Sequence, residues 1–293
     1  MFGDDSPGRS DVSPTGRRRT PTLSSMTADG WGAVWRRAAR RWEAIGRHIR
    51  TATGWRVWNP GRYGERWHAR FRALYPPVRR PLLFFGLNPG PYGMAQTGIP
   101  FTDLRRLTAF LPRLARDLAR GPTALTPPGL APATLRPYLT RTFESSSVRM
   151  YRFLSEAFGN AERGVRQAVV ANPCPLLFID PDAGRNRTPA DLGRAARALG
   201  RARRRALLAE CARLRRLNAG EAVEALAPRG CVILGRDAQA ALHDLLADAV
   251  GERRVIDWEH PARAVPGAWA AGLRTLLGER RLLTRQGEPG RSR

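Results

Sequence analysis

LLFFGLNPGPYGMAQTGIPF, residues 82–101, changes character midway. Leu82 to Leu87 is a short apolar and aromatic run, the pattern of a strand buried on both faces. At Asn88 the run stops, and three glycines and three prolines follow before Phe101. Three more runs of the first kind lie downstream: QAVVA (167–171), CVILG (231–235) and RVIDW (254–258). Helical patterns such as RDAQAALHDLLADAV separate them. Strands that alternate with helices imply parallel pairing with crossovers on both faces. The expected fold is α/β: a three-layer α/β/α sandwich around a central, mostly parallel four-stranded sheet.

An open parallel sheet binds ligands in the crevice beyond the carboxyl ends of its strands. The first run ends at Asn88, the second at Asn172 in ANPCPLLF, and the fourth leads to His260 in EHPARAVPGAW. A proline follows each and fixes the exit of the chain. Taken singly, a strand-end asparagine usually bonds its own backbone in a turn, and a lone histidine is usually a satisfied core or surface group. Three such residues at one end of one sheet make a candidate site. Gly90 and Gly93 are positions where backbone can approach a ligand or take a positive φ.

The chain has 293 residues, 42% of them hydrophobic, which is enough for one large domain with a real core. Its formal net charge is +25, and all 50 basic side chains are arginine. Such a surplus points to a polyanionic partner, nucleic acid ahead of a membrane surface. The abundance of arginine, alanine, glycine and proline also fits a GC-rich genome, which discounts that argument. The absence of lysine excludes a P-loop lysine and a side-chain Schiff base. Cys174, Cys211 and Cys231 are too few and too scattered for a zinc or iron–sulfur site, so buried, reduced thiols are expected and no metal or cofactor is implied.

No apolar stretch approaches the roughly 18 residues of a membrane span, and the N-terminus lacks the apolar core of a signal peptide. A cytoplasmic location follows as an expectation, with nucleoid association if the source is bacterial. Residues 1–28 read as a disordered basic tail, 29–280 as a single domain and 281–293 as a flexible tail. Trp31, Val34, Trp35, Ala38, Trp42, Ile45 and Ile49 recur at helical spacing and predict a helix packed on the core. The connection from 102 to 166 is long, predicts an extra helix or two, and contains the proline-rich GPTALTPPGLAP. DLGRAARALGRARRRALLAECARLRRL reads as helical, with a solvated arginine face over a Leu/Ala seam in its later part.

GLNPGPYGMAQTGIPF, NPCPLLF followed by GRNRTPADL, and the late His-Pro closely resemble the motifs of the single-strand-selective monofunctional uracil-DNA glycosylases, a branch of the uracil-DNA glycosylase superfamily. The similarity runs in order from about residue 55 to about residue 275 and includes LTPP (125–128) and SSSVRMYRF (145–153). It implies an enzyme that flips uracil, and small C5-modified uracils such as 5-hydroxymethyluracil, out of single- or double-stranded DNA. Hydrolysis of the N-glycosidic bond then leaves an abasic site in base excision repair. A monomer is expected, and the missing lysine agrees with a monofunctional reaction.

By this resemblance Phe101 is the stacking wall and Asn172 the edge reader, whose amide donates to uracil O4 and accepts from N3–H. Cytosine reverses both polarities. Gly93 and Met94 leave room beside C5, and backbone N–H groups near Leu87 and Asn88 support the departing base. His260 meets uracil O2, with its tautomer and charge left open and Glu259 beside it. Asn88 positions the water, since an amide is no general base; superfamily relatives with aspartate at that stage imply slower chemistry here.

Arg185, Asn186 and Arg187 precede Thr188-Pro189, a helix start with Asp191 in capping-box position. The resemblance brings this segment to DNA, where arginines and helix N-termini suit phosphates. Departures concentrate after His260: where the family continues His-Pro-Ser-Pro-Arg-Asn-Pro, this chain has His260-Pro-Ala-Arg-Ala-Val-Pro and a shortened wedge, in which Arg263 or Val265 fills the vacated stack. Ala171 stands where a histidine often precedes the edge reader. Two alternatives stay open: a non-catalytic nucleic-acid-binding α/β protein, and a glycosylase preferring xanthine or hypoxanthine.

Overall fold

The computed structural model describes residues 28–119, 143–265 and 267–283. The expected tail before Ala28, the proline-rich segment with LTPP, and residues 284–293 lie outside the described residues. The strands are β1 (Arg56–Trp58), β2 (Leu82–Phe85), β3 (Ala168–Ala171), β4 (Leu177–Asp180), β5 (Arg185–Arg187), β6 (Gly230–Leu234) and β7 (Val255–Trp258). The helices are α1 (Ala28–Thr53), α2 (Pro60–Tyr63), α3 (Glu65–Leu74), α4 (Met94–Thr97), α5 (Leu104–Phe110), α6 (Pro112–Ala119), α7 (Ser145–Phe158) and α8 (Ala161–Gln167), then α9 (Leu192–Ala195), α10 (Arg201–Leu226), α11 (Arg236–Val250) and α12 (Ala268–Glu279).

The four apolar runs form one sheet in the order β3-β2-β6-β7, and every pairing in it is parallel. Side chains of a strand alternate between faces, and the core divides accordingly. Leu82 and Phe84 of β2 join Val232, Leu234 and Ile256 in a cluster with Phe153 and Leu154 of α7 and Trp269, Leu273 and Leu277 of α12. Leu83 and Phe85 join Cys231, Ile233 and Val255 on the other face, with Trp31 and Trp35 of α1, Ala222 of α10 and Leu242 of α11. Helices thus cover both faces, giving the three layers.

The structure departs from the sequence reading in three places. First, β1, β4 and β5 make a separate antiparallel sheet, order β1-β4-β5, over a third core of Trp42, Ile49, Trp55, Phe178, Cys211 and Leu214. Second, the helical pattern after Asp191 is broken: α9 ends, a 3-10 turn spans Ala196–Ala198, and Leu199 and Gly200 turn extended before α10 starts. The break lets Leu192 and Ala196 bury in the third core while α10 takes another direction. Third, α1 buries Ala39 rather than Ala38 beside its tryptophans.

On α10 the expected division holds, with Arg201, Arg203, Arg205, Arg213 and Arg216 exposed and Leu207, Cys211 and Leu214 buried. The three cysteines are buried free thiols, and burial pushes each pKa up.

Candidate active site

Beyond the carboxyl ends of the parallel strands lies a cleft of about 810 Å3, lined by Leu87, Asn88, Met94, Phe101, Asn172 and His260 among others. Its size is that of a small-molecule site, roughly 300–1,000 Å3. Each of these six residues is traceable to a strand end or to the loop that leaves β2.

Asn88 follows β2, and its amide nitrogen donates toward three carbonyls: Arg187 at 3.2 Å, Leu176 at 3.4 Å and Pro89 at 3.4 Å. Leu176 and Arg187 belong to the approach to β4 and the end of β5, so the second sheet cages one end of this amide. With the nitrogen facing carbonyls, the assignment of the two amide ends is settled by chemistry, and Oδ1 is the end left for the cleft.

Asn172 follows β3 and is buried. Its Nδ2 reaches the Met94 sulfur at 3.4 Å, a weak acceptor, and its buried Oδ1 finds no hydrogen-bond partner among the described residues. An amide left this way costs about 1–3 kcal/mol, a cost that a ligand presenting a donor and an acceptor removes.

Phe101 closes the loop with its ring buried and its backbone at φ 52°, a left-handed conformation unusual for an aromatic residue. The surrounding turn holds it there: Thr97 donates its hydroxyl to the Thr102 carbonyl at 2.7 Å and accepts the Ile99 N–H at 3.1 Å. The ring centroid lies 5.8 Å from that of His260.

His260 follows β7, whose end is tied down by Gln239 and the Gly235 N–H, both donating to the Trp258 carbonyl at 2.8 Å. Trp269 donates its indole N–H to the Glu259 carbonyl at 2.8 Å. The Ala262 N–H donates to His260 Nδ1 at 3.2 Å, so the ring proton sits on Nε2. Burial, helped by the positive charge of Arg263, lowers the pKa of His260 to about 4. The imidazole is neutral at physiological pH and presents an N–H donor, its charge set by burial with the help of Arg263 and its tautomer by the Ala262 N–H.

The expected DNA-contacting residues separate. Arg185 is exposed, and Arg263 is exposed at the lip of the cleft. Asn186 lines the cleft instead, half-buried, with Oδ1 unpartnered among the described residues. Arg187 donates from Nε (3.0 Å) and Nη2 (2.6 Å) to Asp180 Oδ2, and the guanidinium holds that carboxyl below its ordinary range. The pairing of β4 with β5 sets Asp180 opposite Arg185 and makes Arg187 its diagonal neighbour. Arg187 is therefore engaged with Asp180 within the small sheet. Asp191 accepts from both the N–H and the hydroxyl of Thr188, and the turn it caps is a 3-10 turn rather than an α-helix.

The model of the uracil DNA glycosylase superfamily matches residues 73–268. The chain belongs to this superfamily. Within it the chain is similar to the single-strand selective monofunctional uracil-DNA glycosylase of Rattus norvegicus, 34% identical over 78% of this chain and 76% of the relative. The Mus musculus protein of the same name is 35% identical over 81% of this chain and 80% of its own length. These similarities place the chain in that branch. Pedobacter heparinus SMUG2, in its crystal structure, shares the fold with a TM-score of 0.50 at 23% identity, over 78% of this chain and 86% of that one.

Three features of this glycosylase-family cleft carried no signal as isolated residues. A Cβ on Gly86 would lie 2.5 Å from Asn172 Oδ1 and 2.5 Å from Phe101 Cε2, so only glycine lets wall and reader meet there. Gly235, at φ 91°, would carry a Cβ 3.1 Å from that of His260. Glu144, just before α7, also lines the cleft. The wall motif places Gly93 buried behind Met94, outside the lining itself.

Proposed function

We propose that the protein excises uracil from DNA by hydrolysing the N-glycosidic bond, leaving an abasic site as the first step of base excision repair. The observation that carries this reading is the Asn172 amide: buried, unpaired at its oxygen, and bordered by an aromatic wall and a neutral histidine donor. Such a pocket is complete only when a flat ring with adjacent N–H and carbonyl groups enters it. Uracil has that edge at N3 and O4, and cytosine opposes it.

The base must leave the stack to reach the cleft. Phe101 then lies on its face and Asn172 reads its edge. As the C1′–N1 bond breaks, the electron pair departs with the base, and His260 Nε2–H meets the charge that develops at O2. A donor so placed is worth about 2.7–4 kcal/mol in comparable sites. Asn88 Oδ1 holds a water toward C1′, whose oxygen forms the new bond while its proton passes to solvent or to the departing base. Positioning, not proton abstraction, is the contribution of the amide.

Family membership together with the cleft lining at Gly90 and Met94 supports acceptance of small C5 substituents such as hydroxymethyl. The exposed Arg185 and Arg263 support contact with the strand backbone, single or double. The test is release of free uracil from a uracil-containing single strand, compared with Asn88→Ala and with strands bearing xanthine or hypoxanthine. Release that falls by roughly 100-fold or more in the variant fits the positioning role. Binding without base release leaves the non-catalytic reading in its place.

A further inference from the structure

The cleft holds a carboxyl that the mechanism above does not use. Glu144 is fixed at its backbone, where its N–H donates to Asp103 Oδ2 at 2.8 Å, and Ser146 hydrogen-bonds its carboxyl. A Cβ on either Gly90 or Gly93 would run into its carboxyl oxygens. Both glycines of the loop are thus open on the side where this acid lies. Burial raises its pKa to about 7, against the pull of the Ser146 hydrogen bond and with help from the negative charge of Asp103. Asp103 is itself fully buried, capping α5 and accepting from Arg106 N–H at 2.6 Å. The other charged groups of the cleft, Arg236, Asp237, Asp257, Glu259 and Arg263, with His260, lie on the β6–β7 side.

A base seated as proposed has its N3–O4 edge at Asn172, O2 at His260 and C1′ at Asn88. The edge that remains is C5–C6. Met94, whose sulfur touches the Asn172 amide, lines the same cleft as Gly90 and Glu144, and it directly follows Gly93, against which the Glu144 carboxyl also lies. Resting on the proposed function, we propose that Glu144 is a specificity-determining residue that reads the C5 substituent, favouring a carbonyl there when protonated and disfavouring it when ionised. The neutral acid donates its O–H to a formyl oxygen. The carboxylate has no donor and turns lone pairs toward that oxygen. A hydroxymethyl group both donates and accepts, so it suits either form, and plain uracil offers only C–H.

The experiment measures kcat/KM on single strands carrying uracil, 5-formyluracil or 5-hydroxymethyluracil. Between about pH 6 and about pH 8 the protonated fraction of a group titrating near 7 falls roughly tenfold. The wild-type formyl-to-uracil ratio is expected to fall by about that factor, while the hydroxymethyl-to-uracil ratio stays level. Glu144→Gln keeps a donor and cannot ionise, so its formyl ratio should be flat with pH. Glu144→Leu should lose the formyl preference at every pH, with circular dichroism confirming that each variant folds. Uracil release with a pH-independent wild-type formyl ratio, or with the same fall in Glu144→Gln, overturns this inference alone. No uracil release from any strand overturns it together with the proposed function.

Discussion

Gly86→Ala tests the geometry of the pocket with a single methyl group. The φ of Gly86 is not in the positive region, so the backbone itself accepts alanine. The obstruction lies in the neighbours: the new Cβ would be 2.5 Å from Asn172 Oδ1 and 2.5 Å from Phe101 Cε2. Favourable carbon contacts lie near 3.5–4.0 Å, so each neighbour must withdraw by about 1 Å. The main chain cannot retreat instead, because the Gly86 N–H donates to the Ala171 carbonyl at 2.9 Å and continues the pairing of β2 with β3. Phe101 has little freedom either, its ring buried and its backbone held left-handed by the Thr97 turn. Both the wall and the reader are displaced at once. A misplacement of about 1 Å costs on the order of 100-fold in rate, or about 2.7 kcal/mol of barrier. Overpacking should lower stability by about 1–3 kcal/mol, so the fold survives for assay. Single-turnover release of uracil with enzyme in excess reads the rate, and thermal melting reads the fold. A folded variant that excises at the wild-type rate would refute the placement of Asn172 and Phe101 around one base.

His260 should stay neutral and active well below the ordinary histidine range, so with plain uracil as substrate the acid limb of the rate profile is expected near pH 4. Its folded pKa lies below its unfolded one; the stability it contributes is complete above about pH 6.5 and disappears as the pH falls through about 4, which urea midpoints follow. An acid limb centred near 6.5 contradicts a His260 ring kept neutral by burial and Arg263. Arg187→Ala breaks the pair with Asp180 and should cost about 1–3 kcal/mol in a urea melt, with kcat falling more than KM rises because Arg187 also cages Asn88. A variant that instead keeps its stability and loses DNA affinity would make Arg187 a phosphate contact first. Arg185→Ala should leave the melting temperature unchanged and, for one lost phosphate contact on a single strand, reduce the slope of log affinity against log salt by about 0.7; an unchanged slope removes Arg185 from the DNA surface.

The central sheet was legible because β2, β3 and β6 are apolar runs, because β7 opens on the buried Val255 and Ile256, and because prolines mark three of the exits. The small sheet was not, since β1 and β5 are three-residue strands with polar or charged members and β4 sits inside a motif whose prolines suggest loop. Strand ends announced Asn88, Asn172 and His260, while their orientation depends on carbonyls and N–H groups remote in sequence, such as Leu176 and Arg187 for Asn88. The partner of Arg187, Asp180, was hidden in the sequence by the unseen pairing of β4 with β5. Glu144 gave no local sign at all: it matters because α7 brings it against a loop more than fifty positions earlier, and nothing in its own neighbourhood shows which glycines it will meet.

The two sheets divide the work of the site in a way that follows from hydrogen-bond chemistry. Parallel strands can deliver side chains to a crevice, but they do not determine which end of an amide faces it. The proposed function requires the Asn88 oxygen toward the water and hence its nitrogen elsewhere, and an N–H2 group withdrawn from solvent needs acceptors. The antiparallel sheet supplies them, because the start of β4 and the end of β5 bring the Leu176 and Arg187 carbonyls to the same point. The Arg187–Asp180 pair then fixes the end of β5 and with it one of those carbonyls. Under the proposed function, an interaction that looks structural thereby controls the orientation of the group that positions water, and loosening it is expected to lower turnover without touching the pocket that selects the base.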